Sequence, residues 1–166
     1  MLRFPVLSEG AEYLVMGHLM RRNILTYKAP PMNEGYDLIC IHPDPRRDGK
    51  GSNDAPSLRI QVKSRYASDC DRAFPIKEDK LDCFDFLIVA FLNAGDFLTG
   101  KKDGKSGKRQ PEFYTLSSDF IKEHHDNKSV WQKVRLSGVL EEIEQFKNEL
   151  GFELIAERLG IQPLSR

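Results

Sequence analysis

Apolar and polar positions alternate with two different periods along this chain, and the switches between them mark its elements. Ala11, Leu14, Val15, His18 and Leu19 recur at helical spacing behind Ser8, a plausible N-cap, and predict a helix over about Glu9–Arg22. Asn23–Lys28 reads as a short strand, stopped by Pro30-Pro31, with a turn at Asn33-Glu34-Gly35. Tyr36–Ile41 is almost continuously apolar, as in a strand covered on both faces. Leu58–Lys63 alternates strictly: Leu58, Ile60 and Val62 take one face, Arg59, Gln61 and Lys63 the other. Phe84–Leu92 is the strongest strand and reads as central, and Glu112–Leu116 is a further strand leading into a helix capped at Ser117 or Ser118. Val130–Leu136 reads as an edge strand. From Ser137 to Leu159 the helical period returns, with an interruption near Gly151.

This order of elements predicts an α/β protein with a mixed sheet flanked by helices, in one domain over residues 1–166. The composition is 40% hydrophobic and 30% charged, which suits a globular chain rather than a disordered one. Lys+Arg and Asp+Glu both number 25, so net charge does not point to a polyanionic partner. Any such footprint must come from uneven placement. The most uneven stretches are Gly100–Arg109, with Lys101, Lys102, Lys105, Lys108 and Arg109, and the proline-rich loop carrying Arg46, Arg47 and Lys50. Cysteines at 40, 70 and 83 are odd in number and lack zinc spacing, which predicts a reducing, intracellular (cytoplasmic) setting, with Cys40 in the core. No signal peptide or membrane-length apolar run is read, and no organic cofactor motif.

The chemistry that this pattern suggests is concentrated on two neighbouring strands. Asp37 opens a buried strand, and Gln61-Val62-Lys63 ends the next one. On a wheel of roughly 100° per residue, Glu12 falls beside the apolar stripe of the first helix, while Glu9 points away. Glu12 on its helix, Gly35-Tyr36-Asp37-Leu38-Ile39 and Arg59-Ile60-Gln61-Val62-Lys63-Ser64 together resemble the core of the PD-(D/E)XK nucleases. The likeness is greatest to the archaeal Holliday-junction-resolvase-like and group I intron endonuclease branches; in the second, Gln can replace the usual acidic residue. Phe74-Pro75-Ile76 and Phe84–Val89 extend the resemblance, which spans roughly residues 8 to 120 and leaves the C-terminal strand and helical extension, about 130–160, outside it.

The resemblance implies a restriction-endonuclease-like three-layer fold and a DNA endonuclease using Mg²⁺, with Mn²⁺ able to substitute. Asp37, Gln61, the Val62 carbonyl and Glu12 would form the metal shell, and Lys63 would act at the attacking water. Oxygen donors of this kind suit Mg²⁺, which binds through few protein ligands plus waters and phosphate. Ser64 and Arg65, Arg46 and Arg47, and the basic residues of 100–109 are candidates for phosphate contact. Homodimerisation through the C-terminal helix follows by analogy. The Gln at 61 keeps a second expectation open: a nuclease-fold module that binds nucleic acid or a protein without cutting. Glu78-Asp79-Lys80, a better E-x-K on paper, lies in a polar stretch and reads as a solvated turn. Asp85 reads as structural, His124-His125 as surface residues, and Trp131 as a packing anchor.

Overall fold

The computed structural model describes residues 5–47, 55–68, 72–93, 109–128 and 133–162. Helix α1 spans Pro5–Met20, one turn longer at its start than the periodicity indicates. Ser8 therefore lies inside the helix rather than at its cap; Pro5 opens it, where a missing N–H costs nothing. Ala11, Val15 and Leu19 form its buried stripe. The helix ends in a Schellman motif: Asn23 takes φ 61°, its N–H donates to Met20 O at 3.0 Å, and Ile24 N–H reaches back to Leu19 O at 3.2 Å.

The strands that follow are β1 (Leu25–Lys28), β2 (Leu38–Ile41), β3 (Ser57–Arg65), β4 (Ala73–Pro75), β5 (Phe86–Phe91) and β6 (Glu112–Ser117). Helix α2 (Ser118–Glu123) is capped as expected by Ser117, whose hydroxyl accepts from Phe120 N–H at 3.2 Å. Strands β7 (His125–Asp126) and β8 (Lys133–Arg135) and helices α3 (Leu140–Ile143) and α4 (Asn148–Arg158) follow. Five strands pair in the order β1-β2-β3-β5-β6, antiparallel except for the parallel pair β3/β5, and β4-β8-β7 make a small antiparallel sheet. The architecture is mixed α/β, a five-stranded mixed sheet flanked by helices.

Alternation decides which side each strand residue joins. Leu58, Ile60 and Val62 of β3 and Phe86, Ile88 and Ala90 of β5 pack with α1 and with Phe152 and Ile155 of α4. Leu87, Val89 and Phe91 pack the other way, with Phe74 of β4, Ile121 of α2 and Val134 of β8. All six β5 residues are buried because both faces are covered.

Two expectations for the C-terminal part change. The strand read over Val130–Leu136 is Lys133–Arg135 among the described residues, and it is the middle strand of the small sheet rather than an edge. With Val134 inside the core, its backbone needs partners on both sides, and β4 and β7 supply them. The helical interruption falls at Lys147, which is extended, and Asn148, at φ 50°. Gly151 sits within α4, where a Cβ would lie 2.2 Å from Phe146 O and 2.8 Å from Thr115 Oγ1. It is glycine because the helix touches β6 there.

Candidate active site

The turn before β2 delivers Asp37. Asn33 Nδ2 donates to Tyr36 O at 2.7 Å, and Gly35 adopts φ 97°, with a Cβ position only 2.3 Å from Cys83 Cβ. Only glycine meets both demands. Asp37 is then held on two sides: its N–H donates to Ile60 O, and its carbonyl accepts from Ala29 N–H, both at 2.8 Å. Its carboxylate Oδ2 accepts from Val62 N–H at 2.7 Å, a charge-assisted bond across to β3.

That bond fixes the direction of the neighbouring groups. Ile60 O and Val62 N–H both turn towards the β2 side, so the Val62 carbonyl, on the same edge of its residue, turns that way too, past the point where β2 starts. Gln61 and Lys63 project to the other face from Ile60 and Val62, in register with Leu87 and Val89. Gln61 Oε1 is buried and has no hydrogen-bond partner among the described residues. Burial pulls the Lys63 ammonium below the usual lysine range, and the nearby Asp37 carboxylate partly offsets this while Arg65 adds to it. Asp37, Val62, Gln61 and Lys63 thus form one cluster, as the Asp37 and Gln-x-Lys positions predict.

The other sequence candidates are placed differently. Glu12 is on the semi-buried side of α1, its side chain 17% exposed against 59% for Glu9, in line with the helix wheel. Its carboxylate is ion-paired with Lys28 on the α1 side of the sheet. Among the described residues no group of three or more His, Cys, Asp or Glu side chains comes together to hold a metal. Ser64 follows Val62's alternation onto the α1 face, where with Leu7, Ser8, Arg65, Tyr66 and Leu92 it lines a recess of about 280 Å³. Arg65 donates to Ser64 O and Ala73 O and lies 4.6 Å from the Phe74 ring centre. Arg46 is bidentate to Asp44, at 2.9 and 3.0 Å, and this holds the Asp44 carboxyl at about 2. Arg47 donates to Gly160 O at 2.7 Å. Lys101, Lys102, Lys105 and Lys108, with Lys50 and Trp131, lie outside the described residues.

Asp85 is structural, as expected: its carboxylate accepts from Arg59 N–H at 2.7 Å and from the Arg59 guanidinium at 3.1 and 3.2 Å. Glu78–Lys80 is a short exposed 3-10 turn. His124 and His125 are half-buried rather than surface residues; His124 stacks on Phe120 at 4.2 Å, and His125 Nε2 lies 2.7 Å from Ile76 O. Asn93, Ser68 and Arg72 were not among the residues that the sequence pattern marked. The one signal was that Asn93 ends an apolar run, where a buried amide has several backbone groups to satisfy. A larger recess of about 710 Å³ lies elsewhere, at the starts of β3 and β5 beside α4.

No family model and no curated protein matches the chain. Among solved structures, the chain is similar to a bacterial homing endonuclease, I-Ssp6803I, at 15% identity and a TM-score of 0.45, over 82% of this chain and 76% of that one.

Proposed function

We propose that this chain is a metal-dependent nuclease that hydrolyses phosphodiester bonds in DNA. The observation that carries this reading is the Gln61 amide oxygen, buried without a donor beside a carboxylate and a lysine on one patch of sheet. A buried acceptor left unsatisfied costs about 1–3 kcal/mol, and a cation held there would remove that cost. The donors present fit Mg²⁺, which takes hard oxygen ligands and keeps open positions for water and phosphate. Asp37 supplies the charged ligand, Gln61 Oε1 a neutral one, and the Val62 carbonyl completes the set. Glu12 takes no part in this assignment, because Lys28 neutralises it.

Bound Mg²⁺ supplies Lewis-acid stabilisation of the charge that develops on the phosphoryl oxygens. The chain's own groups do the positioning. Lys63, cationic but with a lowered affinity for its proton, holds the attacking water by hydrogen bond and offsets negative charge at phosphorus. Val62 N–H fixes one Asp37 oxygen, so the carboxylate presents the other in a set direction. The test is cleavage of DNA by purified protein with Mg²⁺ or Mn²⁺, lost in Lys63→Ala. Wild-type protein that binds no divalent ion and cuts no DNA refutes the reading.

A second reading, a nuclease-fold module that binds nucleic acid or a protein partner without cutting, is favoured by one observation: among the described residues the cluster holds one carboxylate, Asp37, while that of Glu12 is paired with Lys28. Gln61→Glu separates the two. Cleavage that persists or rises supports the nuclease, and an inert protein in both forms supports the module. Homodimerisation belongs to the nuclease proposal too; Leu140 and Leu150 are exposed apolar residues of α3 and α4 suited to it.

A further inference from the structure

Beyond the cluster at Lys63, two guanidinium groups converge on a single buried serine. Arg72 Nε donates to Ser68 O, and Arg109 Nη2 lies 3.5 Å from Ser68 Oγ. Ser68 is itself held by Asn93, whose Oδ1 accepts from both Ser68 N–H and Ser68 Oγ at 2.9 Å. Asn93 is 2% exposed and adopts φ 48°, and its Nδ2 donates to Gln110 O at 3.1 Å, while Arg109 N–H donates to Asn93 O at 3.3 Å. One buried amide therefore ties together the chain after β3, the end of β5 and the approach to β6. Both arginines thus meet at Ser68, which Asn93 holds in place.

Their partners are neutral. Among the described residues, Arg72 and Arg109 meet a carbonyl, a hydroxyl and, for Arg72, the Phe91 ring at 5.8 Å, and neither pairs with a carboxylate. Two like charges gathered on one buried residue, with no carboxylate against them among the described residues, suit an anion, and the guanidinium fork matches phosphate. Arg109 is exposed and Arg72 partly so, which leaves them reachable. Position matters as well. Arg65 pairs with Phe91 in the sheet, and Lys63 with Val89, so Phe91 and the Arg72 guanidinium stacked near it lie on the Lys63 face. At roughly 3.3 Å per strand residue that register is about 7 Å past Lys63.

We infer that Arg72 and Arg109, set by Ser68 and Asn93, grip a backbone phosphate of the nucleic acid on the C-terminal side of β3 and so set the register of the strand that reaches Lys63. The identity of the ligand rests on the nuclease reading. The test is binding in EDTA, followed by fluorescence anisotropy with a short labelled DNA duplex between about 50 and 200 mM salt. Each phosphate contact contributes about −0.9 to the slope of log K against log salt. Arg72→Ala with Arg109→Ala removes that one phosphate contact and should flatten the slope by about 0.9, whereas Arg46→Ala, whose partner is Asp44, leaves it unchanged. Arg72→Lys with Arg109→Lys keeps the charge and should keep the slope, which separates charge from any loosening around Ser68. An unchanged slope in the double alanine variant overturns the inference, and so does wild-type protein with no affinity for duplex or single-stranded DNA. Wild-type protein that binds with the steep slope yet cuts nothing removes the cleavage reading and leaves this site standing; cleavage with an unchanged slope in the double variant does the reverse.

Discussion

Replacing Asp37 by Asn keeps the side chain's size and an oxygen able to accept from Val62 N–H, and removes the negative charge beside Lys63. The Val62 bond changes from charge-assisted, worth about 1.5–3 kcal/mol, to neutral, worth about 0.5–1.5. Folding stability should therefore fall by only about 1 kcal/mol. Asp37→Ala leaves Val62 N–H without a partner and costs about 1–3 kcal/mol more. Cleavage should respond differently: both variants lose the charged metal ligand, and both should fall by at least about a thousandfold, or roughly 4 kcal/mol of transition-state stabilisation. The Lys63 proton affinity drops further in Asp37→Asn, because Asp37 is the group that raises it against burial and Arg65. Urea unfolding gives the first quantity and single-turnover cleavage the second. If Asp37→Asn cuts DNA within tenfold of wild type, the carboxylate is not a ligand. If Asp37→Ala is as stable as Asp37→Asn, the bond to Val62 does not hold the side chain.

Other positions give independent checks. Gln61→Glu adds a second carboxylate and should tighten Mn²⁺ binding by tenfold or more, about 1.4 kcal/mol, by calorimetric titration; weaker binding would place Gln61 away from the ion. Gly35→Ala should destabilise the protein by several kcal/mol and abolish cleavage, since the added Cβ meets Cys83 and φ is positive; a melting temperature equal to wild type would contradict the turn geometry. His18 stacks on Phe152 and lies tilted against Phe113, its Nδ1 is buried without a partner among the described residues, and burial together with Arg22 and Arg21 holds its proton affinity down. The neutral form is therefore favoured in the fold, so stability is complete above about pH 6.5, the unfolded value, and is lost as pH falls below it towards the depressed folded value. Urea midpoints at about pH 7.5 and 5.5 should diverge in wild type and converge in His18→Leu; an equal drop in both would exclude His18 as the cause.

Much of this arrangement was legible in the residues. The strict alternation of Leu58–Lys63 placed Gln61 and Lys63 together on one face, and β3 keeps that alternation of burial from Leu58 to Lys63. The wheel placed Glu12 rather than Glu9 towards the interior, but it could not reveal Lys28, a strand residue that meets the helix only once β1 pairs with β2. Ser64 and Arg65 read as strand-end residues available to phosphate; the period of two sends Ser64 to the α1 face, and the Phe74 ring occupies Arg65. The convergence of Arg72 and Arg109 on Ser68 was not legible, because it joins three segments far apart in sequence through one asparagine. Helix ends shifted where local chemistry outweighed the apolar period, with Pro5 starting α1 and Asn148 restarting the helix after Lys147.

The central claim is that the Asp37–Lys63 cluster cuts phosphodiester bonds with a divalent ion. Its most direct measurement is a cleavage assay on duplex, single-stranded and four-way-junction DNA, with Mg²⁺, Mn²⁺ or EDTA, comparing wild-type protein with Asp37→Asn and Lys63→Ala. The account predicts nicked or cut product in wild type with either ion, none in EDTA, and none from either variant. Cleavage that persists in EDTA or in Asp37→Asn, or wild-type protein that cuts none of the substrates with either ion, contradicts it.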